Sequence, residues 1–209
     1  MTVSSTKRLL LAALAAGALA STLSACFPLV AGGIASGALL AADRRTSGAQ
    51  LEDEGIELRT ASRLRSAFGE RAHVNVTSYN RQVLMTGEVG SAQDKTAVEQ
   101  LAAKVENVQS VVNELGVMDG SSLGQRSSDT LVTGRVKAAM IDARDLQFNA
   151  FKVVTERGTV YLMGRVTQRE ADRATEVARA TPDVLKVVRV FEILTEAELA
   201  RIQPPVGSK

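Results

Sequence analysis

Val83-Leu-Met-Thr-Gly-Glu-Val89 and Val160-Tyr-Leu-Met-Gly-Arg-Val166 are two versions of one apolar, β-rich stretch, and their recurrence decides the fold. An internal repeat marks a supersecondary unit that has been duplicated. Upstream of the first copy, Ala61-Ser-Arg-Leu-Arg-Ser-Ala-Phe68 aligns with Thr133-Gly-Arg-Val-Lys-Ala-Ala-Met140 before the second. Downstream, Val108-Gln-Ser-Val-Val112 and Val184-Leu-Lys-Val-Val188 follow in the same order. The units are placed at residues 52–117 and 128–194, joined by a linker at 118–127 that carries Gly120, Ser121, Ser122 and Gly124.

Each unit reads as αββαβ. In the first, Leu58, Ala61, Leu64, Ala67 and Phe68 fall at helical spacing and are expected to line a buried stripe. Two strands follow, Val74 to Ser78 and Val83 to Glu88, joined through Asn80-Arg81; the second copy turns at Arg157-Gly158. A second helix opens at Ser91-Ala-Gln-Asp94 and at Thr167-Gln-Arg-Glu170, where a hydroxyl and a carboxylate three residues apart can satisfy free backbone N–H groups. Val108 to Leu115 and Val184 to Ile193 close the units as strands. The fold class is α+β: two tandem domains, each with two helices packed on a three-stranded sheet, and each expected to fold separately.

The N-terminus reads as a targeting segment. Lys7 and Arg8 precede an apolar run, Leu9 to Ala20, that is too short to span a bilayer. It ends in Leu23-Ser24-Ala25-Cys26, which looks like a lipobox. Residues 1–25 are expected to be removed and Cys26, the single cysteine of the chain, to carry the lipid. Several acyl chains on one residue anchor durably where one would not. Phe27 stands where an Asp would retain the protein at the inner membrane, so the expected location is the outer membrane, facing the periplasm. Residues 26–51 are read as a lipidated apolar tether. A transmembrane helix is disfavoured there by length, by Pro28 and by the glycines, and Asp43-Arg44-Arg45 marks the end of the apolar run.

Chemistry-bearing groups are sparse. His73 is the lone histidine and is read as a surface or strand-edge residue. One cysteine and one histidine make no metal cluster, and no cofactor is expected. Glu52-Asp53-Glu54 is read as a solvated cap before the first helix, and Gly87 and Gly164 as strand positions that need close packing or an unusual φ. The chain is nearly neutral, which argues against a nucleic-acid partner. Its charge is uneven, however. Residues 52–117 hold seven Lys/Arg against ten Asp/Glu, and residues 128–194 hold eleven against nine.

The αββαβ order behind a lipobox resembles the dual BON-domain outer-membrane lipoproteins of the DolP/YraP type. Asn75-Val-Thr-Ser-Tyr79, Gln82-Val-Leu-Met-Thr-Gly87, Ser128-Asp-Thr130 and Val160-Tyr-Leu-Met-Gly-Arg-Val-Thr-Gln-Arg-Glu-Ala171 carry the resemblance by order and spacing. It implies a protein that is not an enzyme and has no small-molecule substrate. It further implies one that binds anionic phospholipid through its second BON domain and maintains envelope integrity. An adaptor that recruits envelope-assembly or cell-wall proteins is the alternative.

The second domain's first helix is the expected contact. Ser128 or Asp129 is taken as its cap, and Val132, Val136, Ala139 and Met140 as its buried face. Leu131 lies about 100° from Val132, on a stripe with Gly134, Arg135 and Ala138 and with Lys137 nearby. There Leu131 either enters the head-group boundary beside phosphate-binding cations or covers an inter-domain interface. The positive balance of residues 128–194 and the resemblance favour the first reading.

Overall fold

A computed structural model describes residues 43–202. The expected signal peptide, Cys26 and the apolar run up to residue 42 lie outside the described residues, as do residues 203–209 of the C-terminal tail that the sequence predicts at 195–209.

The first domain comprises helix α1 (Ser47–Phe68), strands β1 (Ala72–Tyr79) and β2 (Gln82–Val89), helix α2 (Ala92–Ala103), and strands β3 (Ser110–Asn113) and β4 (Gly116–Val117). The second comprises α3 (Leu123–Asp142), β5 (Phe151–Glu156), β6 (Thr159–Thr167), α4 (Gln168–Ala180) and β7 (Lys186–Leu194), followed by a short α5 (Glu196–Ile202). In each domain the first two strands form an antiparallel hairpin, and the last strand returns parallel to its centre. The expected αββαβ units are present, with one difference: the closing strand of the first copy is split at Glu114-Leu115 into β3 and β4.

Both first helices begin earlier than expected. Thr46 caps α1 by accepting from Ala49 N at 3.1 Å, so the helix takes in residues assigned to the tether. Ser122 caps α3 by accepting from Gln125 N, within the expected linker, so neither Ser128 nor Asp129 is the cap. The helix repeat is also shifted. The buried residues of α1 are Asp53, Ile56, Thr60 and Leu64, and those of α3 are Asp129, Val132, Val136 and Met140. Each pair is 76 residues apart, whereas the sequence alignment set them 72 apart. Four residues are close to one 3.6-residue turn, so the slip leaves an apolar stripe on the same face and goes unnoticed. Leu58 lies about 120° from Leu64 around the helix, off the buried face, and is 73 % exposed.

Asp53 is not a solvated cap. It sits 2 % exposed within α1 and accepts from Ser78 Oγ (2.6 Å), Asn80 N (2.7 Å) and Arg81 N (2.7 Å). Asp129 does the same for the other hairpin, accepting from Arg157 N and Gly158 N, both at 2.8 Å. These turns place Asn80, Arg81, Arg157 and Gly158 at φ between 49° and 70°, as a two-residue hairpin of matching twist requires. Only Gly158 adopts that region freely. In each domain a buried helix carboxylate therefore fixes a turn that its own residues hold poorly.

The two recurring glycines are structural. Gly87 lies at φ 112°, and a Cβ there would overlap the His73 carbonyl; one at Gly164 would stand 2.6 Å from the Ala150 oxygen. At both positions the neighbouring backbone approaches too closely for any side chain.

Alternation along the central strands builds two kinds of core. Val83, Met85 and Val89 face α1 and α2, and Val160, Leu162 and Val166 face α3 and α4. On the opposite faces Tyr79 and Leu84 meet Tyr161, Met163 and Val190 in a third cluster shared by both domains. The domains therefore stack sheet to sheet, with their helices on the two outer layers. Lys152–Glu57 (2.8 Å), Arg157–Glu88 (2.6 Å) and Asn75–Glu156 (2.9 Å) seal the seam. The two copies have separate cores but not wholly separate folding surfaces.

Candidate membrane-contact site

The exposed face of α3 is the candidate site. Val132, Val136 and Met140 are buried on the sheet, so the helix turns its other side to solvent. Leu131, Gly134, Arg135, Lys137 and Ala138 all lie on that side, and Leu131 is 62 % exposed. The apolar cluster shared by the two domains contains no residue of this helix, so Leu131 does not cover it. A Cβ added at Gly134 would meet open space, which leaves the strip beside Leu131 flat.

Two residues of the face escaped sequence reading. Leu123 is 80 % exposed and Ile141 is 57 % exposed. With 100° per residue, both fall near Gly134 on the wheel and extend the apolar stripe along the whole helix. Ile141 was legible as Gly134 plus seven; Leu123 was hidden by its assignment to the linker.

The cations of the stripe are not equivalent. Arg135 forms an exposed ion pair with Asp183, which sits at φ 68° after α4. The residue 76 positions earlier, Arg59, makes comparable contacts with Glu52 and with the Glu106 carbonyl beside Asn107, itself at φ 66°. Both copies thus use this arginine to hold a local loop. Lys137 makes no ion pair among the described residues and is exposed on the Ile141 side of the stripe, about 40° from Ile141 around the helix. Across α3 from Lys137, a groove of about 790 Å³ runs between α3 and α4, floored by Ala138, Ala139 and Val177. Its rim charges include Asp142 and Glu176, and Arg173 is already bonded to Asp145 and Glu176.

Nothing on this face or elsewhere among the described residues gathers three His, Cys, Asp or Glu side chains where they could hold a metal. His73 Nδ1 lies 2.9 Å from Glu88 Oε2. Glu88 is 2 % exposed and also takes Arg157 Nε at 2.6 Å, so the histidine belongs to the domain seam. Burial opposes the Glu88 charge, but Arg157 and His73 hold its carboxyl below the usual range. No described helix is long and apolar enough to cross a membrane.

The comparisons with known proteins agree with this architecture. The BON domain family model matches residues 53–119 and again 128–195. The outer membrane lipoprotein DolP of Haemophilus influenzae is 37 % identical over 82 % of this chain and 90 % of its own length. The 21 kDa hemolysin of Actinobacillus pleuropneumoniae is 34 % identical over 71 % of this chain and 78 % of its own. The osmotically-inducible protein Y of Escherichia coli is 31 % identical over 54 % of this chain and 58 % of its own. Two BON matches on two αββαβ units, with such identity along nearly the full length of a lipoprotein, place the chain at the outer membrane facing the periplasm; it belongs to the BON-domain family.

Proposed function

We propose that this protein, lipid-anchored through Cys26, binds anionic phospholipid through the outer face of α3 and thereby helps maintain the envelope. The observation that carries the reading is the stripe Leu123–Leu131–Ile141, apolar and exposed on an outer helix layer, flanked by Lys137, which has no ion pair among the described residues. Apolar side chains of this kind enter the head-group boundary, while cations meet phosphate. Near an anionic surface each cation contributes about 1 kcal/mol. Lys137 is the stronger contributor, because Arg135 must first leave Asp183. The reading involves no catalytic step and no cofactor.

The test is flotation of residues 43–209, which lack Cys26, with phosphatidylglycerol vesicles and with zwitterionic vesicles. Wild type is expected to float with the anionic vesicles alone. Lys137→Glu reverses one charge and should weaken binding by about 2 kcal/mol, roughly thirty-fold. Leu131→Glu should weaken it comparably, and Arg135→Glu less. Wild-type binding by both Lys137→Glu and Leu131→Glu, with folding intact, excludes this face.

An adaptor role for the first domain has its own support. Leu51 and Leu58 are 70 % and 73 % exposed and stand seven residues apart on one side of α1. Capture of envelope proteins that is lost in Leu58→Glu but kept in Lys137→Glu would identify that activity.

A further inference from the structure

Asp43-Arg44-Arg45 closes the gap between the apolar run and the folded domains, and its two arginines face different domains. Arg44 is buried, with its side chain 1 % exposed, and holds Glu170 with two bonds of 2.7 and 2.8 Å. Its guanidinium also donates to the Arg165 carbonyl at 2.9 Å and to Gln147 Oε1 at 3.4 Å. Glu170, Arg165 and Gln147 belong to the second domain. Arg45 instead donates to Asp53 at 2.8 Å and stacks 4.2 Å over the Tyr79 ring, both in the first domain. Glu170 is at the same time the carboxylate of the Thr167 capping box that opens α4. Burial works against the Glu170 charge, and Arg44 with the Thr167 amide outweighs it, holding the carboxyl below its usual range.

We propose that Arg44 is a positioning residue: it fixes the lipid-borne end of the chain to the second BON domain, so that α3 meets the bilayer although the first domain comes earlier in the sequence. The inference rests on the phospholipid reading of α3. Without the Arg44 socket the tether would lead directly into α1, on the opposite helix layer. The apolar run ends at residue 42, two Cα steps or about 7 Å of chain from Arg44. A run held in the lipid interface therefore brings the socket to the membrane surface. Gln147 follows the end of α3 by five residues, so the socket lies at the Ile141 end of the stripe. A buried ion pair is weak evidence for stability and better suited to fixing registry. Arginine suits the socket because its planar fork matches a carboxylate bidentately while still reaching other acceptors; a lysine keeps the charge but not the fork.

The test uses the lipidated full-length protein in phosphatidylglycerol liposomes. An environment-sensitive fluorophore is placed at Ser127→Cys on α3 or at Ser62→Cys on α1, and quenched by a lipid-borne quencher. The Ser127 probe should be quenched several-fold more than the Ser62 probe. Arg44→Ala should erase that asymmetry, Arg45→Ala should keep it, and Arg44→Lys should restore part of it. The same variants made in residues 43–209 should bind phosphatidylglycerol vesicles as wild type does, since α3 is untouched. An asymmetry absent from wild type, surviving Arg44→Ala, or lost equally in Arg45→Ala overturns the proposal. If residues 43–209 do not bind the vesicles, yet the asymmetry still depends on Arg44, the phospholipid reading fails and the positioning role stands.

Discussion

Asp53→Ala removes the most heavily used carboxylate of the first domain, and its cost can be worked from its partners. Four donors converge on it: Ser78 Oγ, the Asn80 and Arg81 amides, and Arg45 Nη1, at 2.6 to 2.8 Å. Bonds to a charged acceptor contribute about 1.5–3 kcal/mol each, but they do not add, because exposed donors turn to water. The two turn amides can do so in part. The Ser78 hydroxyl cannot, since Ser78 is fully buried. Asn80 and Arg81 also remain at positive φ with nothing to hold them there. The expected loss is about 3–5 kcal/mol, as for breaking other buried charge networks. Asp129→Ala should cost less, about 1.5–3 kcal/mol, because it binds two amides and a long Gln125 contact, and Gly158 tolerates its own φ. Urea unfolding of residues 43–209, followed by circular dichroism, measures both. The pH dependence has a definite sign. Burial pushes the Asp53 carboxyl up, and the Ser78, Arg81, Arg45 and Asn80 bonds outweigh it, so its pKa lies below the usual 3.8. A depressed folded-state pKa gives stability that is present above the ordinary value and lost as the pH falls through the lowered one. The Asp53→Ala deficit should therefore shrink in acid. A loss under about 1 kcal/mol at neutral pH, or a larger loss for Asp129→Ala, refutes the reasoning.

Thr60→Val should stabilise the first domain by about 1 kcal/mol in the same urea experiment, because the fully buried Thr60 hydroxyl finds no partner among the described residues and Val136 already fills the equivalent place. Gly87→Ala should cost on the order of 3 kcal/mol or more, since φ 112° and the His73 carbonyl both exclude a Cβ; a melting temperature equal to wild type refutes the close approach. Cys26→Ala should abolish labelling by a fatty-acid probe and leave uncleaved precursor or protein released from the membrane fraction; normal labelling ends the lipoprotein assignment.

The strands were legible in the sequence because they alternate and end in a glycine that recurs at Gly87 and Gly164, so the αββαβ order followed from local pattern alone. The second helices were legible from Ser91–Asp94 and Thr167–Glu170: Thr167 and Glu170 form the full reciprocal box, whereas Ser91 caps Asp94 N but the Asp94 carboxylate takes the Ser91 hydroxyl instead of a backbone N–H. Helix one was read a turn out of register, because apolar spacing repeats every three to four residues and cannot tell one turn from the next. The signal that fixes the register is polar: Asp53 and Asp129 mark the same site, and their role is visible only once the hairpin folds back on the helix. The candidate face was legible at Leu131, Gly134, Arg135, Lys137 and Ala138, which needed only helical geometry. The engagement of Arg135 by Asp183 was not, since that contact joins residues 48 apart through the end of α4.

Duplication also answers a packing problem that one copy cannot solve. A three-stranded sheet with helices on one side leaves its other side bare, and in the second domain that side carries Tyr161, Met163 and Val190. Stacking on Tyr79 and Leu84 of the first domain covers it, at the price of sending the two helix layers in opposite directions. A flat surface can then touch only one layer at a time. With α3 on the lipid, Leu51 and Leu58 of α1 point away from the bilayer, into the periplasm, where a protein partner would meet them. Lipid binding and adaptor activity are therefore not competing descriptions of one face. They would occupy opposite faces of one molecule, and Arg44, by tying the tether to the second domain, decides which face is turned to the membrane.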